Sequence, residues 1–191
     1  MKYLRGRKNI YETPQIVMRK DLLKRARKVK LLLLDVDGVL TDGKIIYDSE
    51  ERDLKIFDVK DGLGVYLLKK AGIPTILVTA KSSKVIKLRA KDMGVEEIFE
   101  NAQDKRKILD HILKKYRVNS KEVCFIGDDL VDLSVMKDIG LAVSVKDGCP
   151  EIKKISDYVT KRKGGEGAVR EICELILKAK RKWEGLVSLY S

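Results

Sequence analysis

Short continuous runs of apolar residues recur through the middle of the chain, and segments with helical spacing separate them. A run of this length predicts a strand that is buried on both faces of a parallel sheet. The predicted strands are 30–36, 75–78, 123–126 and 141–145. The predicted helices are 61–71, 83–93, 104–116 and 130–138. This alternation indicates an α/β fold, a three-layer Rossmann-like parallel sheet with helices on both sides.

One stretch breaks the alternation of strands and helices. Residues 44–49 and 53–58 alternate polar and apolar side chains on either side of the turn Glu50, Glu51, Arg52. This pattern predicts a β-hairpin, residues 44–58, inserted after the first strand. The hairpin is too small to be a domain, and a chain of 191 residues fits a single domain, 1–191.

The two ends of the chain have patterns of their own. Residues 1–29 are rich in Lys and Arg and predict a basic segment that contains a short amphipathic helix. Residues 164–191 begin with the pair Gly164 and Gly165, which predicts a joint. We expect a last helix over 168–182 and a tail beyond Trp183.

The net charge of +12 is concentrated near the two ends, and the middle of the chain is almost neutral. Aromatic residues are not interleaved with the basic ones as on a single-strand binding surface, so we expect no nucleic-acid partner. No apolar run approaches the ~20 residues of a membrane helix, and no secretory signal pattern is present. We therefore expect a cytoplasmic protein without a membrane partner. The three cysteines are widely spaced, which favours neither a disulfide framework nor a zinc site.

Acidic residues follow two of the predicted strands directly. The first strand ends at Asp35 and Val36 with Asp37 just after it, and Asp128, Asp129 and Asp132 follow the third. The carboxyl ends of parallel strands share one edge of a sheet, where ligands bind. Carboxylates packed together repel one another unless a cation lies among them, and such oxygen ligands suit Mg²⁺. Aspartates also cap helices and shape turns, an alternative that stays open for Asp42 and Asp129.

In their order along the chain, these residues resemble the four motifs of the haloacid dehalogenase phosphatases. The first motif, DxDGVLTDG, begins at Asp35, and the fourth, GDDxxD, begins at Gly127. Thr79 closes the second predicted strand as motif two, and Lys105 stands near a helix start as motif three. The resemblance extends over about residues 30–160. It implies a magnesium-dependent phosphatase.

The resemblance also implies roles for individual residues. Asp35 would attack phosphorus, and Asp37 would protonate the leaving alkoxide and later activate water. Asp35, Asp128 and the backbone carbonyl of Asp37 would bind magnesium, with Asp132 orienting these ligands from behind. The implied catalytic residues are Asp35, Asp37, Thr79 and Lys105.

Elementary electrostatics explains why a phosphatase of this kind needs these residue types. A carboxylate that attacks a phosphate dianion needs fixed positive charge to offset their mutual repulsion. Magnesium and Lys105 would supply that charge, and Thr79 would donate a hydrogen bond to a phosphoryl oxygen. By itself Lys105 is equally typical of a solvated helix lysine, and its place in the motif series favours the catalytic role.

Within this superfamily, the chain most resembles a subgroup of enzymes without a cap domain. These enzymes hydrolyse 3-deoxy-D-manno-octulosonate 8-phosphate (KDO 8-phosphate) for lipopolysaccharide precursor synthesis. The residues that carry it are Thr41-Asp42-Gly43, the segment 57–64 and the tail 164–171. In that subgroup the hairpins assemble a homotetramer, and a glycine-rich tail closes over the site of a neighbouring subunit. Assembly would thus stand in for the cap domain that this chain is too short to contain.

Position in the subgroup's motifs also implies a set of substrate contacts. They are Asp37, Asp58, Val59, Lys60, Asp61, Gly62, Lys81, Arg89 and Lys105. The subgroup has Arg where this chain has Tyr66 and Lys81, and lysine cannot reproduce the bidentate fork of arginine. The lone histidine, His111, lies away from every motif and is interpreted as structural.

Three alternatives to KDO 8-phosphate hydrolysis follow from these observations. The nearest is hydrolysis of a nonulosonate 9-phosphate, which would use the same four motifs. The second is a non-catalytic module associated with a sugar-nucleotide synthetase. The third is hydrolysis of a nucleic-acid 3′-phosphate, motivated by the basic N-terminus.

Overall fold

The computed structural model describes residues 14–50 and 53–190. The residues before Pro14 and the predicted turn residues Glu51 and Arg52 lie outside the described residues. The strands are β1 Leu31–Leu34, β2 Ile46–Tyr47, β3 Asp53–Leu54, β4 Thr75–Val78, β5 Glu97–Phe99, β6 Val123–Gly127, β7 Leu141–Ser144 and β8 Tyr158–Val159. Six of them form a parallel sheet in the order β5-β4-β1-β6-β7-β8, and β2 pairs with β3 in an antiparallel hairpin.

Helices cover both faces of the sheet. They are α1 Pro14–Lys28, α2 Val59–Lys70, α3 Lys84–Met93, α4 Lys105–Tyr116, α5 Leu133–Met136, α6 Pro150–Ile155, α7 Ala168–Ala179 and α8 Trp183–Val187. Leu32 and Leu34 of β1 pack into one core with side chains of α1, α2, α3 and α7. Leu31 and Leu33 point the other way and pack with α4, α5 and α6. Because consecutive residues of a strand face opposite sides, an all-leucine strand needs a hydrophobic layer on both. The predicted three-layer α/β fold is confirmed.

Three elements lie where the sequence pattern predicted none: the edge strands β5 and β8, and the helix α6. β5 has three residues and β8 has two, and their side chains are partly exposed. A strand at the edge of a sheet does not need a continuous apolar run, so periodicity fails to detect it. α6 has six residues and begins with Pro150, whose fixed backbone angle suits the first helical position.

Two helix predictions differ from the structure. The segment 130–138 is a 3-10 turn, Leu130–Asp132, followed by the single-turn helix α5. The last predicted helix ends at Ala179, because Arg181 adopts a left-handed backbone angle, φ 57°. The chain then forms α8 where a tail was expected. These short elements carry too few residues to show a helical period.

The hairpin lies where it was predicted, but its ladder is shorter. Ile46 pairs with Leu54 and Tyr47 pairs with Asp53, and no further ladder pairs form among the described residues. Across the described part of the chain, no helix combines the length and apolar character needed to cross a membrane.

Candidate active site

The loop after β1 carries the first predicted acid, Asp35. Its backbone N–H donates to the carbonyl of Ile126 at 3.1 Å, which ties the strand end to β6. Its Oδ1 accepts a hydrogen bond from the Val36 N–H at 2.6 Å, and its Oδ2 lies 2.7 Å from Nζ of Lys105. The side chain is 10% exposed. One edge of this carboxylate is therefore held by the protein, while a small part reaches the crevice.

Lys105 is the first residue of α4 and joins two acids across the sheet edge. Its Nζ lies 2.7 Å from Asp35 and 2.6 Å from Oδ1 of Asp132, and its side chain is 1% exposed. Burial alone lowers the pKa of a lysine, but the charges of Asp35 and Asp132 outweigh it, so the pKa of Lys105 is raised. The ammonium therefore stays charged at neutral pH. Asp104 caps α4 by accepting a hydrogen bond from the Lys107 N–H. This cap fixes the start of the helix and therefore the position of Lys105.

The turn after β6 brings the remaining acids to the same place. Oδ2 of the fully buried Asp132 accepts from the Asp128 N–H at 3.1 Å, and its Oδ1 is paired with Lys105. Both oxygens of Asp132 are thus occupied, whereas no donor in the described residues pairs with the Asp128 carboxylate. Carboxylate oxygens of Asp35, Asp128 and Asp132 all lie within 4.8 Å of one another.

The charges of this cluster are incompletely balanced. Burial and the neighbouring charges of Asp35 and Asp132 raise the pKa of Asp128 to about 7. Burial also raises the pKa of Asp35 to about 6, with Lys105 opposing the shift and Asp132 adding to it. A divalent cation between Asp35 and Asp128 would remove this repulsion, and carboxylate oxygens are its preferred ligands. The donor set fits magnesium.

The first-motif loop packs so closely that glycine is needed at Gly38. Its φ is +84°, and a Cβ there would run into the Asp128 carboxylate. Thr41 closes the loop, because its Oγ1 accepts from the N–H groups of Gly38 and Gly43 at 3.2 and 3.3 Å. The predicted glycine joint lies against this loop: Gly165 donates its N–H to the Val39 carbonyl at 3.0 Å. The C-terminal region thus supports the loop that carries Asp35.

Asp37 is paired with a residue that the sequence pattern did not single out. Nζ of Lys55, just after β3, lies 2.6 Å from Oδ1 of Asp37, and the Lys55 side chain is only 2% exposed. Leu54 and Ile56 on either side of it are exposed. The period of two in a hairpin strand turns Lys55 towards the domain, and this alternation next to an acidic loop is the signal that could have identified it.

Thr79 lies at the end of β4, the strand beside β1. It is buried, and its Oγ1 accepts from the Lys81 N–H at 3.3 Å. Its hydroxyl proton is therefore available for another acceptor at the same sheet edge. Lys81 itself is exposed.

Some of the predicted substrate contacts near the start of α2 are held by hydrogen bonds or packing, and others are exposed to solvent. Asp58 caps the helix by accepting from the Lys60 N–H at 2.6 Å, and its carbonyl accepts from Nη2 of Arg89 at 2.8 Å. Arg89 also lies against Gly62, where a Cβ would meet its guanidinium. Val59 and Lys60 are exposed.

Asp61 is oriented away from this group. It is fully buried, and its Oδ1 accepts from the Arg170 N–H of α7 at 2.7 Å. Burial raises the pKa of Asp61 to about 6. The carboxylate joins α2 to α7. His111 packs edge-on against Phe99 with ring centroids 5.7 Å apart, away from the acidic cluster.

A family model described as haloacid dehalogenase-like hydrolase matches residues 49–172, more than half of the chain. The chain belongs to this family. The KDO 8-phosphate phosphatase of Yersinia pestis is 38% identical over 169 residues, which cover 88% of this chain and 90% of the relative.

Solved structures of the family share the fold over most of the chain. KDO 8-phosphate phosphatase from Moraxella catarrhalis, in complex with magnesium, phosphate and KDO, has a TM-score of 0.88 and 40% identity, and the match covers 90% of this chain and 99% of that one. The cobalt-bound enzyme from Haemophilus influenzae has a TM-score of 0.80 and 34% identity, and the match covers 83% and 92%. This haloacid dehalogenase-like hydrolase thus resembles relatives that bind divalent metals.

Proposed function

We propose that this hydrolase cleaves the phosphate ester of KDO 8-phosphate, with Mg²⁺ as cofactor, to give KDO and phosphate. The observation that carries the proposal is the arrangement of Asp35, Lys105 and Asp128. A buried lysine neutralises one side of the Asp35 carboxylate, and an unpaired acid faces it. Relatives at 38 and 40% identity, named for this reaction, match nearly the whole chain.

Asp35 is the proposed nucleophile. Its carboxylate attacks phosphorus in line with the ester oxygen, the P–O ester bond breaks, and the bond's electron pair goes to the leaving oxygen. Asp37 gives that oxygen a proton. In the second half, Asp37 takes a proton from water, which attacks phosphorus and releases phosphate and the Asp35 carboxylate.

Three groups would stabilise the charge that develops on the phosphoryl oxygens. Lys105 is held beside Asp35 in a dry environment, where a fixed charge acts more strongly than in water. Thr79 can donate its hydroxyl proton. The carboxylates of Asp35 and Asp128 and the backbone carbonyl of Asp37 would hold magnesium, which supplies positive charge to the phosphoryl group. Asp132 fixes Lys105 and the Asp128 backbone.

The sugar-acid part of the substrate would contact the start of α2 and the residues after β4. Lys60 and Lys81 are exposed there, and Arg89 is anchored on the Asp58 carbonyl. These cations suit the carboxylate of a sugar acid. Tyr66 occupies the other position where the subgroup has arginine, and Nζ of Lys70 lies 5.5 Å from the centroid of its ring. The proposed sugar-acid pocket therefore keeps its positive charge but differs in shape from that of the subgroup.

We also propose that the chain forms a homotetramer through its hairpin. Apolar side chains of the hairpin are exposed to solvent: Ile45 55%, Tyr47 66%, Leu54 46% and Ile56 67%. Exposed apolar side chains in one small element are typical of an interaction surface. An assembly of this kind would shield them.

The test is phosphate release from KDO 8-phosphate, with magnesium or with EDTA, by the wild type and Asp35→Asn. We expect fast turnover that both chelation and the substitution abolish. A nonulosonate 9-phosphate is assayed in parallel. Faster turnover of that ester would replace the proposed substrate while keeping the Asp35 chemistry. Turnover that persists in Asp35→Asn would refute the chemistry itself.

A further inference from the structure

The hairpin contributes a buried lysine, Lys55, that contacts the loop carrying Asp35 and Asp37. Lys55 follows β3, and its side chain is 2% exposed, whereas Leu54 and Ile56 are 46% and 67% exposed. A buried ammonium is costly unless it is paired. In this structure its partners are Oδ1 of Asp37 at 2.6 Å and Oδ2 of Asp53 at 3.5 Å.

Each of the two buried lysines near the site pairs with a different one of the first two acids of the first motif. Lys105 pairs with Asp35 and Asp132, and Lys55 pairs with Asp37. Asp37 is 30% exposed, so water reaches it and packing alone restrains its side chain incompletely. The strong hydrogen bond from Lys55 therefore decides which way the carboxyl group faces.

We infer that Lys55 is a positioning residue that holds Asp37 for proton transfer to the leaving group. This inference rests on the proposed function. An ammonium only donates hydrogen bonds, so the Lys55 contact keeps Oδ1 of Asp37 as an acceptor. Oδ2 is then the oxygen that carries the proton to the ester oxygen. A loss of about 1 Å in placement at such a step costs ~100-fold in rate.

The test compares two phosphate esters that differ in their need for an acid. KDO 8-phosphate has an alkoxide leaving group, which requires a proton. The nitrophenolate of p-nitrophenyl phosphate departs without one. The value of kcat/KM reports the steps up to phosphoryl transfer to Asp35, so the later role of Asp37 as a base does not enter.

For Lys55→Met we expect kcat/KM to fall ~100-fold with KDO 8-phosphate and to change little with p-nitrophenyl phosphate. Lys55→Arg should restore part of the loss, because arginine also donates to Oδ1. In an Asp37→Asn background, Lys55→Met should cause little further loss, since residues that act together are not additive. Lys69→Met is the control: this lysine of α2 is 49% exposed, and its Nζ lies 3.9 Å from the Glu96 carboxylate.

Equal losses with both esters would overturn the inference, because they would indicate a general structural effect. An unchanged kcat/KM with KDO 8-phosphate would overturn it as well. If Lys55→Met fails to fold, Lys55→Gln gives the same comparison with a polar side chain. A wild type that hydrolyses another alkyl phosphate but not KDO 8-phosphate would refute the proposed substrate alone, and the same comparison would then use that alkyl phosphate. A wild type that hydrolyses only p-nitrophenyl phosphate would overturn the inference, because no leaving group would then need the proton of Asp37. A wild type without activity on any ester would refute the proposed function and this inference together.

Discussion

Substitution of Lys105 by methionine removes the cation between two buried carboxylates while keeping a side chain of similar length. In the wild type, Nζ lies 2.7 Å from Asp35 and 2.6 Å from Asp132, whose side chains are 10% and 0% exposed. Removing one partner of a buried ion pair typically costs ~3–5 kcal/mol, because the remaining charge is left uncompensated. We expect a loss of this size in the free energy of unfolding near pH 7 with EDTA present.

The loss should shrink as the pH falls. Burial already raises the pKa of Asp35 in the folded protein to about 6, above its ordinary value of 3.8, and without Lys105 it rises further. A carboxyl group with a raised folded pKa is protonated more readily in the folded than in the unfolded chain. Its destabilising effect is therefore full only above the folded pKa and disappears as the pH falls to the ordinary value of 3.8.

The assay is urea unfolding of the wild type, Lys105→Met and Lys69→Met, at about pH 7 and about pH 5 with EDTA. Lys69→Met removes an exposed pair and should cost under ~1 kcal/mol at either pH. An equal loss for Lys105→Met at both pH values would refute the electrostatic explanation and would indicate a packing defect instead. With magnesium, we expect phosphate release to fall by ~100-fold or more.

Two further pairs of substitutions, each with its own control, test the first-motif loop and the hairpin. Gly38→Ala and Gly72→Ala both place a Cβ at a left-handed backbone angle, φ +84° and +78°, and each should lose ~1–2 kcal/mol of stability. A Cβ at Gly38 would meet Asp128, whereas nothing lies within 4 Å of one at Gly72, so only Gly38→Ala should lose thermal stabilisation by magnesium. Equal stabilisation of both variants would contradict the metal site. If the proposed homotetramer forms through the hairpin, Tyr47→Asp should dissociate it in light scattering, whereas Leu88→Asp, at a comparable exposure of 63% on α3, should not. A tetramer in both variants would exclude the hairpin as the interface.

The inner strands were predictable because each must be apolar on both faces. The four leucines of β1 are all buried between the two helical layers, as a continuous apolar run predicts for an inner strand of a parallel sheet. The edge strands β5 and β8 gave no such signal, because part of each side chain remains in water. The end of α7 was not predictable, because arginine rarely adopts the left-handed backbone angle that Arg181 has just after this helix.

The acids of the candidate site were predictable for a related reason. Asp35 and Asp128 directly follow neighbouring strands, and parallel strands bring their carboxyl ends to one edge, so local sequence implied proximity. The catalytic role of Lys105 was predicted only from its place in the motif series. In the structure, its contacts with Asp35 and Asp132 place it in the acidic cluster.

The sequence alone therefore determined the inner strands of the sheet, the longer helices and the acidic edge, because these depend on burial and on strand direction. The tertiary structure decided which groups are partners. Lys55 meets Asp37 because the hairpin folds back over the first loop, and Asp61 joins α7 because that helix packs on α2. Contacts between segments distant in the chain depend on packing in three dimensions, and no periodicity within either segment records them.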